Sequence, residues 1–564
     1  MTEWLPLTDV AARPGLGHRP IACVRGDLMG RAQFIAGVQA WRAAFATVPG
    51  PRVALYFGDT FAFVCALFGA WHAGKHVSLP GDAQPDTLAR LLPTVDACGG
   101  DLPGALSPLP EAPHVHLAPL DPWRSSLAVH TSGSNGEPLS IAKALAQLDA
   151  EMHTLEAAFG AQLVAAAPAR VFATVSHQHI YGLLFQALWP LAAGRVLEAE
   201  RLPYPESMAD QLGGGPAVLV TSPAHLKRLP DTLDWSAARS GLLAVFSSGG
   251  PLPPEAAASA LMLLGRSPIE VFGSSETGGI AWRQRAAHGD RWTPLPGVQW
   301  QAGEGGHLAV RSRHLADDTW YTTTDVIDPD GEGFLLRGRT DRIVKIEEKR
   351  VSLTAMEQAL LAGGDLAEAR VIALPGDRPS LAVVGVPTAV GRARLDGGKR
   401  VLNERLRAQL LQVVERVALP RRFRYLDQIP TNAQGKTPLA TLQALFRAAQ
   451  PTPGWLSREP LKAVAQLDVH GGLLPFDGHF PGMPLLPGVV QIDWAVDFGR
   501  RCFPLPRRFM RLDTLKFQRP ILPGMQVELT LTWRPADRIL GFAYASEAGT
   551  HASGSVVFGS DDDA

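Results

Sequence analysis

The sequence has few cysteines, and their spacing fits neither a metal site nor a redox motif. Only four cysteines occur in 564 residues, at Cys23, Cys65, Cys98 and Cys502. Metal and redox motifs place cysteines a few residues apart, which these are not. We therefore expect buried free thiols in a reducing compartment.

A strong excess of one charge is also missing. The formal net charge is −1, and charged residues make up 19% of the chain. Proteins that bind nucleic acids or anionic membranes usually present a basic surface. The composition therefore gives no reason to expect a nucleic-acid partner.

Long hydrophobic runs are absent from the sequence. The longest, Phe61 to Trp71, is too short to cross a bilayer and predicts a buried helix. The first ten residues, MTEWLPLTDV, lack the basic and apolar regions of a signal peptide. The sequence predicts a cytoplasmic protein without stable membrane insertion.

What the sequence does contain is the pattern of a multidomain α/β protein. A chain of 564 residues is too long for one core, so we expect two to four domains. Apolar spacing predicts a helix over 31–47, a strand over 52–57, a helix over 60–73 and a strand over 77–79. This alternation is typical of a parallel sheet covered by helices.

A Thr/Ser/Gly-rich turn follows the predicted strand that ends at Val129. It reads Thr-Ser-Gly-Ser-Asn-Gly-Glu-Pro over residues 131–138. Backbone N–H groups and hydroxyls in such a turn form a concavity that suits phosphate. It is not a P-loop of the Gly-Lys-Ser/Thr kind, because no lysine follows the last glycine. Taken alone, an ordinary flexible loop explains this segment equally well.

Further motifs occur downstream in a fixed order, and together they are similar to those of the adenylate-forming acyl and aryl ligases. The segments are His179–Gly182, Ser247–Leu252, Phe272–Thr277, Tyr321–Asp325, Leu336–Asp341 and Pro430–Lys436. The turn at 131–138 resembles the phosphate loop of these enzymes. That resemblance implies that the phosphates are bound by Thr131, Ser132, Gly133, Ser134 and Gly136. The loop lysine of the family is Leu139 here, and Lys143 is the candidate to replace it.

The resemblance assigns an acyl pocket to His179 and Gly182. Two other interpretations of the histidine remain open. His177 and His179 could form a metal pair, although no third ligand lies nearby in the sequence. Alternatively, His179 is a loop residue that caps a helix.

The adenine and phosphate contacts follow from the next two motifs. By resemblance, Gly249 and Gly250 form a turn against adenine. Phe272, Gly273 and Ser275 belong to a segment similar to the family's Tyr-Gly-x-Thr-Glu.

The acid of that segment is Glu276, which we expect to be a Mg²⁺ ligand. Mg²⁺ prefers oxygen ligands and otherwise keeps water and phosphate oxygens. A solvated turn is the alternative for an isolated Gly-x-x-Glu.

Three further residues receive roles from the resemblance. Asp325 is expected to bind the ribose hydroxyls, and Arg339 the ribose or a phosphate. Asp341 is expected to be the hinge before a small mobile lobe.

Lys436 stands at the end of Pro-x-Thr-x-x-Gly-Lys, a close match to the family's catalytic lysine motif. A positive charge that is aimed at charge developing in the transition state lowers the barrier. The alternative is an ordinary surface lysine in a turn.

A second unit begins after a stretch rich in proline, residues 449–460, which the composition predicts to be a linker. Its centre reads His-Phe-Pro-Gly-Met-Pro-Leu-Leu-Pro-Gly from His479 to Gly488. This segment resembles the signature of the hotdog-fold 3-hydroxyacyl-carrier-protein dehydratases. The second catalytic acid of that family lies 14 residues after the histidine, where this chain has Asp493.

The chemistry of dehydration suits these residue types. Histidine titrates near neutral pH and can remove the proton α to a thioester carbonyl. An apolar helix favours a protonated Asp493, which can protonate the leaving hydroxyl. The N–H of Gly488, at a helix start, can polarise the thioester oxygen. The alternative is a non-catalytic domain that dimerises or binds a carrier protein.

Together these resemblances imply an α/β adenylate-forming ligase followed by an α+β hotdog domain. The expected boundaries are a large lobe over 1–338, a small mobile α+β lobe over 339–448 and a hotdog domain over 461–560.

The implied reactions are ATP-dependent activation of a carboxylic acid, with Mg²⁺, and its transfer to the phosphopantetheine thiol of an acyl carrier protein or CoA. Dehydration of a 3-hydroxyacyl thioester by a hotdog homodimer is the other implied reaction. Fused enzymes of this kind resemble those of bacterial aryl polyene pathways. A plain acyl-CoA synthetase with an inactive hotdog domain and a non-catalytic carrier-binding scaffold are the alternatives.

Overall fold

The computed structural model describes residues 4–13, 20–111, 113–132, 138–165, 167–339, 342–346, 349–374, 380–431, 437–476 and 483–559. The chain folds into two compact units, residues 1–439 and 440–564.

The first sheet of unit 1 contains five strands within the described ranges. Their order across the sheet is Ala97–Gly100, Arg52–Tyr56, His76–Leu79, Ser126–Ser132 and Pro138–Ala144. The first four strands are parallel, and the last pairs antiparallel with Ser126–Ser132. The two strands that flank the predicted phosphate turn are therefore antiparallel, and the second of them was not predicted from the sequence.

The second sheet of unit 1 has nine described strands and is larger. Its order is Thr293–Pro294, Gly278–Arg283, Ile269–Ser274, Leu242–Ser247, Ala217–Thr221, Arg170–Ala173, Val196–Glu198, Pro20–Val24 and Asp27–Gly30. The central strands, from Ile269–Ser274 to Val196–Glu198, are parallel. Because parallel strands all point the same way, their carboxyl ends meet at one edge.

The helix Thr60–His72 lies between these two sheets and contacts strands of both. Its sequence, TFAFVCALFGAWH, is apolar on every side, as a helix buried on all faces requires. The Asp59 side chain caps it by accepting a hydrogen bond from the N–H of Ala62 at 2.7 Å. The prediction that this run is a buried helix is confirmed.

Smaller sheets complete unit 1. A four-stranded sheet has the order Gln299–Ala302, His307–Arg311, Tyr321–Asp330 and Gly333–Arg339. Two more, toward the end of the unit, pair Ile343–Ile346 with Lys349–Ser352 and place Ser380–Pro387 between Leu366–Leu374 and Arg422–Tyr425.

The helices of the two units pack on the sheets of their own unit or connect its strands. The α-helices described are Arg31–Ala46, Thr60–His72, Pro85–Leu91, Leu145–Phe159, Ile180–Gly182, Trp189–Ala193, Pro205–Gln211, Pro223–Leu226, Ser236–Gly241, Pro254–Leu264, Arg285–His288, Leu353–Ala362, Ala389–Asp396, Lys399–Leu410, Leu439–Ala444 and Gly488–Cys502. Residues Leu183–Leu188 form a π-helical segment. The helices predicted over 31–47 and 60–73 are confirmed to within a residue or two. None of the described helices is both long and apolar enough to cross a membrane.

A polar pair lies inside the apolar core of unit 1. His177 is 1% exposed, its ring stacks on Phe63 with centroids 4.4 Å apart, and its Nδ1 lies 3.0 Å from the Thr60 hydroxyl. Burial, together with the charge of Arg201, lowers the pKa of His177 to about 3. The ring is therefore neutral in the folded protein at physiological pH.

In unit 2 the described strands form one sheet, and one long helix packs against it. The six described strands have the order Gly454–Arg458, Lys462–Val469, Met525–Arg534, Ile539–Ser546, Gly549–Phe558 and Phe509–Phe517. The helix Gly488–Cys502 packs its buried face, which includes Trp494 and Phe498, into the core of the unit.

The segment predicted to be a linker, 449–460, contributes to this unit. Residues Gly454–Arg458 form an edge strand that pairs with Lys462–Val469. The backbone carbonyl of Ala449 accepts a hydrogen bond from Trp494 Nε1 at 3.0 Å. Proline and glycine content suggested a linker, but Trp455 and the backbone of this segment find partners that lie later in the chain.

This difference gives a test with two fragments. Residues 440–564 should fold alone, whereas residues 461–564, which lack the edge strand and Ala449, should be less stable by about 3 kcal/mol or more. The loss combines the burial of Trp455 against Phe498 with several hydrogen bonds. Urea unfolding, followed by tryptophan fluorescence, measures both fragments; equal midpoints would show that the edge strand contributes nothing.

The buried His177 predicts a pH dependence of stability. Its folded-state pKa is depressed, so as pH falls below about 6.5 the unfolded chain takes up a proton that the folded chain does not. Stability is then lost toward acid, by up to about 1.4 kcal/mol per pH unit for one group. The free energy of unfolding, measured by chemical unfolding between about pH 7 and pH 5, should fall less steeply with decreasing pH for His177→Gln than for the wild type. His72, whose pKa burial also lowers, stays in both proteins as a common background. An equal dependence of the free energy of unfolding on pH in the two proteins would contradict the depressed pKa of His177.

Candidate functional site

A cavity opens at the carboxyl ends of four adjacent parallel strands of the large sheet. These strands are Arg170–Ala173, Ala217–Thr221, Leu242–Ser247 and Ile269–Ser274. The space amounts to about 810 Å³, a volume that includes open solvent. Ligands in open α/β sheets bind at this edge. The described lining residues are Glu151, Val175, Ser176, His179, Ile180, Tyr181, Leu184, Phe185, Ser222, Ser248, Gly249, Val271, Gly273, Ser274, Ser275, Gly278 and Gly279.

Three of the predicted motifs line this cavity, through His179, Ser248 and Gly273 among others. The Ser248 hydroxyl donates to the backbone carbonyl of Val271 at 2.8 Å and so ties one strand end to the next. Gly249 follows with φ +89°, a conformation that favours glycine, and a Cβ placed there would meet no atom within 4 Å. The predicted adenine turn thus presents open backbone beside the cavity.

The turn from Gly273 to Gly279 is held tightly by its own atoms. The backbone N–H groups of Ser274 and Thr277 donate to each other's hydroxyls, both at 3.2 Å. A Cβ on Gly273 would lie 2.2 Å from the carbonyl oxygen of Gly278, so the two glycines can approach only without side chains. Ser275 and Glu276 lie at the tip of this turn and are half-buried.

A polar stripe that the motifs did not reveal supports the same turn. Lys143 is 2% exposed, and its Nζ donates to the backbone carbonyls of Glu276 at 2.8 Å and His314 at 3.0 Å. Gln147 Nε2 also donates to the His314 carbonyl, at 3.0 Å. Glu151 Oε1 accepts from the N–H of Gly279 at 2.6 Å.

The stripe continues through His314 to one more residue of the helix. His314 Nδ1 donates to the carbonyl of Gly279 at 3.2 Å, and Nε2 lies 3.1 Å from the hydroxyl of Thr154. Gln147, Glu151 and Thr154 are spaced by four and three residues and share one face of the helix Leu145–Phe159. Lys143 precedes this helix, in the strand Pro138–Ala144. The helical spacing of the three polar residues was the signal available in the sequence.

Lys143 therefore does not replace the missing lysine of the phosphate loop. Its ammonium group is buried among backbone carbonyls, and that burial lowers its pKa, while the carboxylates of Glu151 and Glu276 oppose the shift. The suggestion made from sequence proximity alone was wrong. The residue fixes the position of the turn that carries Glu276.

The ribose candidates are brought together as cross-strand partners. Asp325 lies directly opposite Arg339 in the antiparallel pair Tyr321–Asp330 and Gly333–Arg339. Burial raises the pKa of the neighbouring Tyr321, the charge of Glu276 adds to the rise, and that of Arg339 opposes it. Glu276 and Arg339 are thus close to the same tyrosine, although they are 63 residues apart in the chain.

The structure places His177, His179 and Gly182 in different surroundings. His179 lines the cavity and is the N-cap residue of the short helix Ile180–Gly182. Gly182 is buried instead, and a Cβ there would lie 2.1 Å from the carbonyl oxygen of Ser176, so glycine permits this close approach. His177 is held in the core beside Thr60. Within the described residues no cluster could hold a metal ion, which leaves the metal-pair alternative without support.

Phe272 and Gly250 are near the cavity but are not among its described lining residues. The Phe272 ring packs against Trp292 and Phe334, with centroids 5.4 and 6.2 Å away. Side chains alternate along a strand, so Val271 and Gly273 face the cavity while Phe272 points elsewhere. The prediction that Phe272 contacts the nucleotide lacks support here.

Several predicted site residues lie outside the described part of the chain. These are Gly133, Ser134, Gly136, Asp341, Lys436 and His479. Thr131 and Ser132 are described only as backbone, at the end of the strand Ser126–Ser132. Their roles stay predictions.

In unit 2 the predicted oxyanion residue opens the long helix, as expected. Gly488 is the first residue of Gly488–Cys502, and a Cβ on it would lie 2.5 Å from the ring of Phe517. Asp493 lies on the same helix and is exposed in the single chain. The Tyr544 hydroxyl donates to the carbonyl of Gln491 at 2.7 Å; burial raises the pKa of Tyr544, and the charge of Asp493 adds to that shift. The burial that would favour a protonated Asp493 is not provided by one chain.

Comparison with protein families matches both units. Residues 95–304 match the model of the AMP-binding enzymes, and residues 456–555 match that of ApeI-like proteins, described as ApeI dehydratase. A 4-coumarate–CoA ligase from Rhodobacter capsulatus is 30% identical over 309 residues, which span 54% of this chain and 73% of the relative. A second, from Cereibacter sphaeroides, is 28% identical and is covered to 68%.

Solved structures of ligases share the fold of most of the chain. ATP-bound MatB from Rhodopseudomonas palustris superimposes with a TM-score of 0.63 at 16% identity, covering 78% of this chain and 99% of that one. A benzoate CoA ligase from Burkholderia xenovorans gives 0.58 at 19% identity, covering 75% and 96%. The predicted fold class is confirmed. By its sequence relatives and its fold, the chain belongs to the AMP-binding, adenylate-forming acid ligases and carries an ApeI-like dehydratase domain of the hotdog fold after the ligase.

Proposed function

We propose that unit 1 activates a carboxylic acid with ATP, forming an acyl-adenylate and pyrophosphate, and then transfers the acyl group to a phosphopantetheine thiol. One observation carries this proposal. A single cavity joins an apolar wall, which includes Tyr181 and Phe185, to the turn of Gly273, Ser274 and Ser275 that the ligase motifs assign to the nucleotide. An acid and ATP can therefore meet there.

The residues around this turn suit the nucleotide. The open backbone at Gly249 leaves room for a flat base, and the Asp325–Arg339 pair offers an acceptor and a cation for ribose and phosphate. Glu276 is the carboxylate that would hold Mg²⁺, whose charge would offset that of the phosphates. Lys143 keeps Glu276 in place through its backbone.

The acyl group is proposed to be aryl or acyl, and its acceptor an acyl carrier protein or CoA. The relatives and fold neighbours include ligases named for 4-coumarate and benzoate, which favours an aryl acid. Asp341 is proposed as the hinge that lets the small lobe bring Lys436 to the adenylate and then withdraw it.

For unit 2 we propose dehydration of 3-hydroxyacyl thioesters by a homodimer. His479 would remove the α-proton, Asp493 would protonate the leaving hydroxyl, and the N–H of Gly488 would polarise the thioester oxygen. The main support is the match to the dehydratase family together with the helix start at Gly488.

The edge strand Phe509–Phe517 supports the dimer. In one chain it lies at the sheet edge with large apolar side chains exposed: Phe509 52%, Met510 51%, Leu512 36%, Leu515 36% and Phe517 50%. An apolar edge strand left open is a template for pairing with another strand. Because Phe517 touches Gly488, a partner on this edge would lie beside the dehydratase site.

Both activities on one chain suit a cytoplasmic pathway that primes and extends a carrier-bound chain, such as aryl polyene or fatty-acid-like synthesis. All four cysteines are unpaired thiols, as a reducing compartment favours. A plain acyl-CoA synthetase with a non-catalytic hotdog domain, used for dimerisation or carrier binding, is the second candidate. The exposed position of Asp493 in one chain favours that candidate if no dimer forms.

The test for unit 1 is the separation of the two half-reactions. Lys436→Ala should lower ATP–pyrophosphate exchange by roughly a hundredfold or more, because a preorganised positive charge is lost from the transition state. Transfer from a preformed acyl-adenylate to the thiol should change far less. An equal loss in both steps would contradict a lysine that serves adenylation alone.

The test for unit 2 is complementation between two inactive variants. His479→Ala and Asp493→Asn should each abolish dehydration of a 3-hydroxyacyl thioester. Mixed dimers hold one site with both wild-type groups if each site draws on two protomers, so about a quarter of wild-type activity should return on random assortment. Activity in either single variant would refute the roles, and inactive mixed dimers would refute the shared site.

A further inference from the structure

Glu151 is a buried carboxylate in the wall of the ligase cavity. It is 2% exposed, yet it lines the cavity from the middle of the helix Leu145–Phe159. Among the described residues it forms no salt bridge. A buried carboxylate is costly unless hydrogen bonds satisfy its oxygens.

Only one of its two oxygens is satisfied within the described part of the chain. Oε1 accepts the hydrogen bond from the N–H of Gly279 at 2.6 Å. Oε2 has no donor among the described protein atoms. It lies against Gly278, where a Cβ would come within 2.7 Å of it. The absence of a side chain at Gly278 therefore leaves room beside this oxygen, on the side of the cavity that Gly278 also lines.

Part of the wall of the same cavity is apolar and aromatic. Ile180, Leu184 and Val271 line it together with Tyr181 and Phe185, whose ring centroids are 4.9 Å apart. Such a wall suits a flat ring, and no hydrogen bond joins any of these side chains to Oε2 in the described part of the chain. In the free enzyme water can satisfy Oε2, and a ligand that displaces this water without replacing its hydrogen bond loses affinity.

We propose that Glu151 selects an acid substrate that carries its own hydrogen-bond donor, a hydroxyl or an amino group, on an aromatic ring. This inference rests on the proposed function of unit 1 as an acid ligase. The ring lies along the aromatic wall, and its O–H or N–H donates to Oε2. An acid of equal size without the donor leaves a buried carboxylate oxygen unpaired, which is the situation that gives a binding site its strongest discrimination. Glu151 determines specificity and takes no part in the transfer of the acyl group.

The test compares matched acids on the full-length protein. Benzoates with a hydroxyl, an amino, a methyl or a methoxy group at each ring position are assayed by ATP–pyrophosphate exchange, and their binding is measured by calorimetry. At least one hydroxy or amino acid should exceed its methyl counterpart in kcat/KM by about tenfold to a hundredfold. The hydroxyl and amino arms show which donor is used.

Glu151→Gln separates recognition from structural support. The amide oxygen can still accept from the N–H of Gly279, while the NH₂ group takes the place of Oε2 and now donates. The ratio of kcat/KM for a donor acid to that for its methyl counterpart should fall to about one. The kcat/KM for methoxy acids, whose oxygen accepts a hydrogen bond, should rise. Gln147→Met is the matched control, because Gln147 belongs to the same polar stripe but does not line the cavity. It should leave the ratio between donor and methyl acids unchanged.

The outcomes distinguish this inference from the proposed function. Equal use of donor and methyl acids by the wild type overturns the inference and leaves the ligase assignment intact, even if Glu151→Gln does not fold. An unchanged ratio in a folded Glu151→Gln variant also overturns it. Selective binding of donor acids that Glu151→Gln abolishes, without any exchange, supports the inference and contradicts the ligase function. Neither binding nor exchange with any acid overturns both.

Discussion

The buried ammonium group of Lys143 is the interaction on which the ligase site depends. Two backbone carbonyls, from Glu276 and His314, converge on it in the interior of unit 1. A carbonyl buried without a donor costs about 1–3 kcal/mol. Lys143 supplies a donor to the Glu276 carbonyl and shares the His314 carbonyl with Gln147, so it stabilises the burial of both segments. Fixing the carbonyl of Glu276 also limits where its carboxylate can lie, and the charge of that carboxylate contributes to the raised pKa of Tyr321.

The rest of the site follows from strand direction. Four parallel strands end at one edge, and each delivers its next residues to the same cavity. Glycine then decides how close the loops can come, as at Gly273, where a side chain would collide with the carbonyl of Gly278. The apolar wall and the polar turn are thus neighbours because the sheet is parallel, and a ligand with an apolar acid end and a charged nucleotide end matches that division.

Local sequence patterns predicted many of the helices, strands and turns of this arrangement, but not the long-range contacts between them. The helix Thr60–His72 was predictable because an apolar run between two strand patterns favours a buried helix. The motif turns were predictable because they follow strand ends. The partners of Lys143 were not, since they lie 133 and 171 residues away. Phe272 lies in a predicted motif, but a motif does not show which face of a strand each residue occupies, and its ring packs against Trp292 and Phe334. The strand Gly454–Arg458 was hidden by flanking prolines, and its partner strand comes after it.

The two units place their key carboxylates in opposite surroundings. Glu151 is enclosed within unit 1 and has one oxygen held by Gly279, so its position is set by a single chain. Asp493 is exposed in unit 2, although acid catalysis by a carboxyl group at neutral pH requires an environment that favours its protonated form. The apolar edge strand that touches Gly488 through Phe517 is the surface from which such an environment can be built. A second protomer on that edge would therefore give Asp493 an apolar surrounding that a single chain lacks, whereas the fold of unit 1 alone buries Glu151.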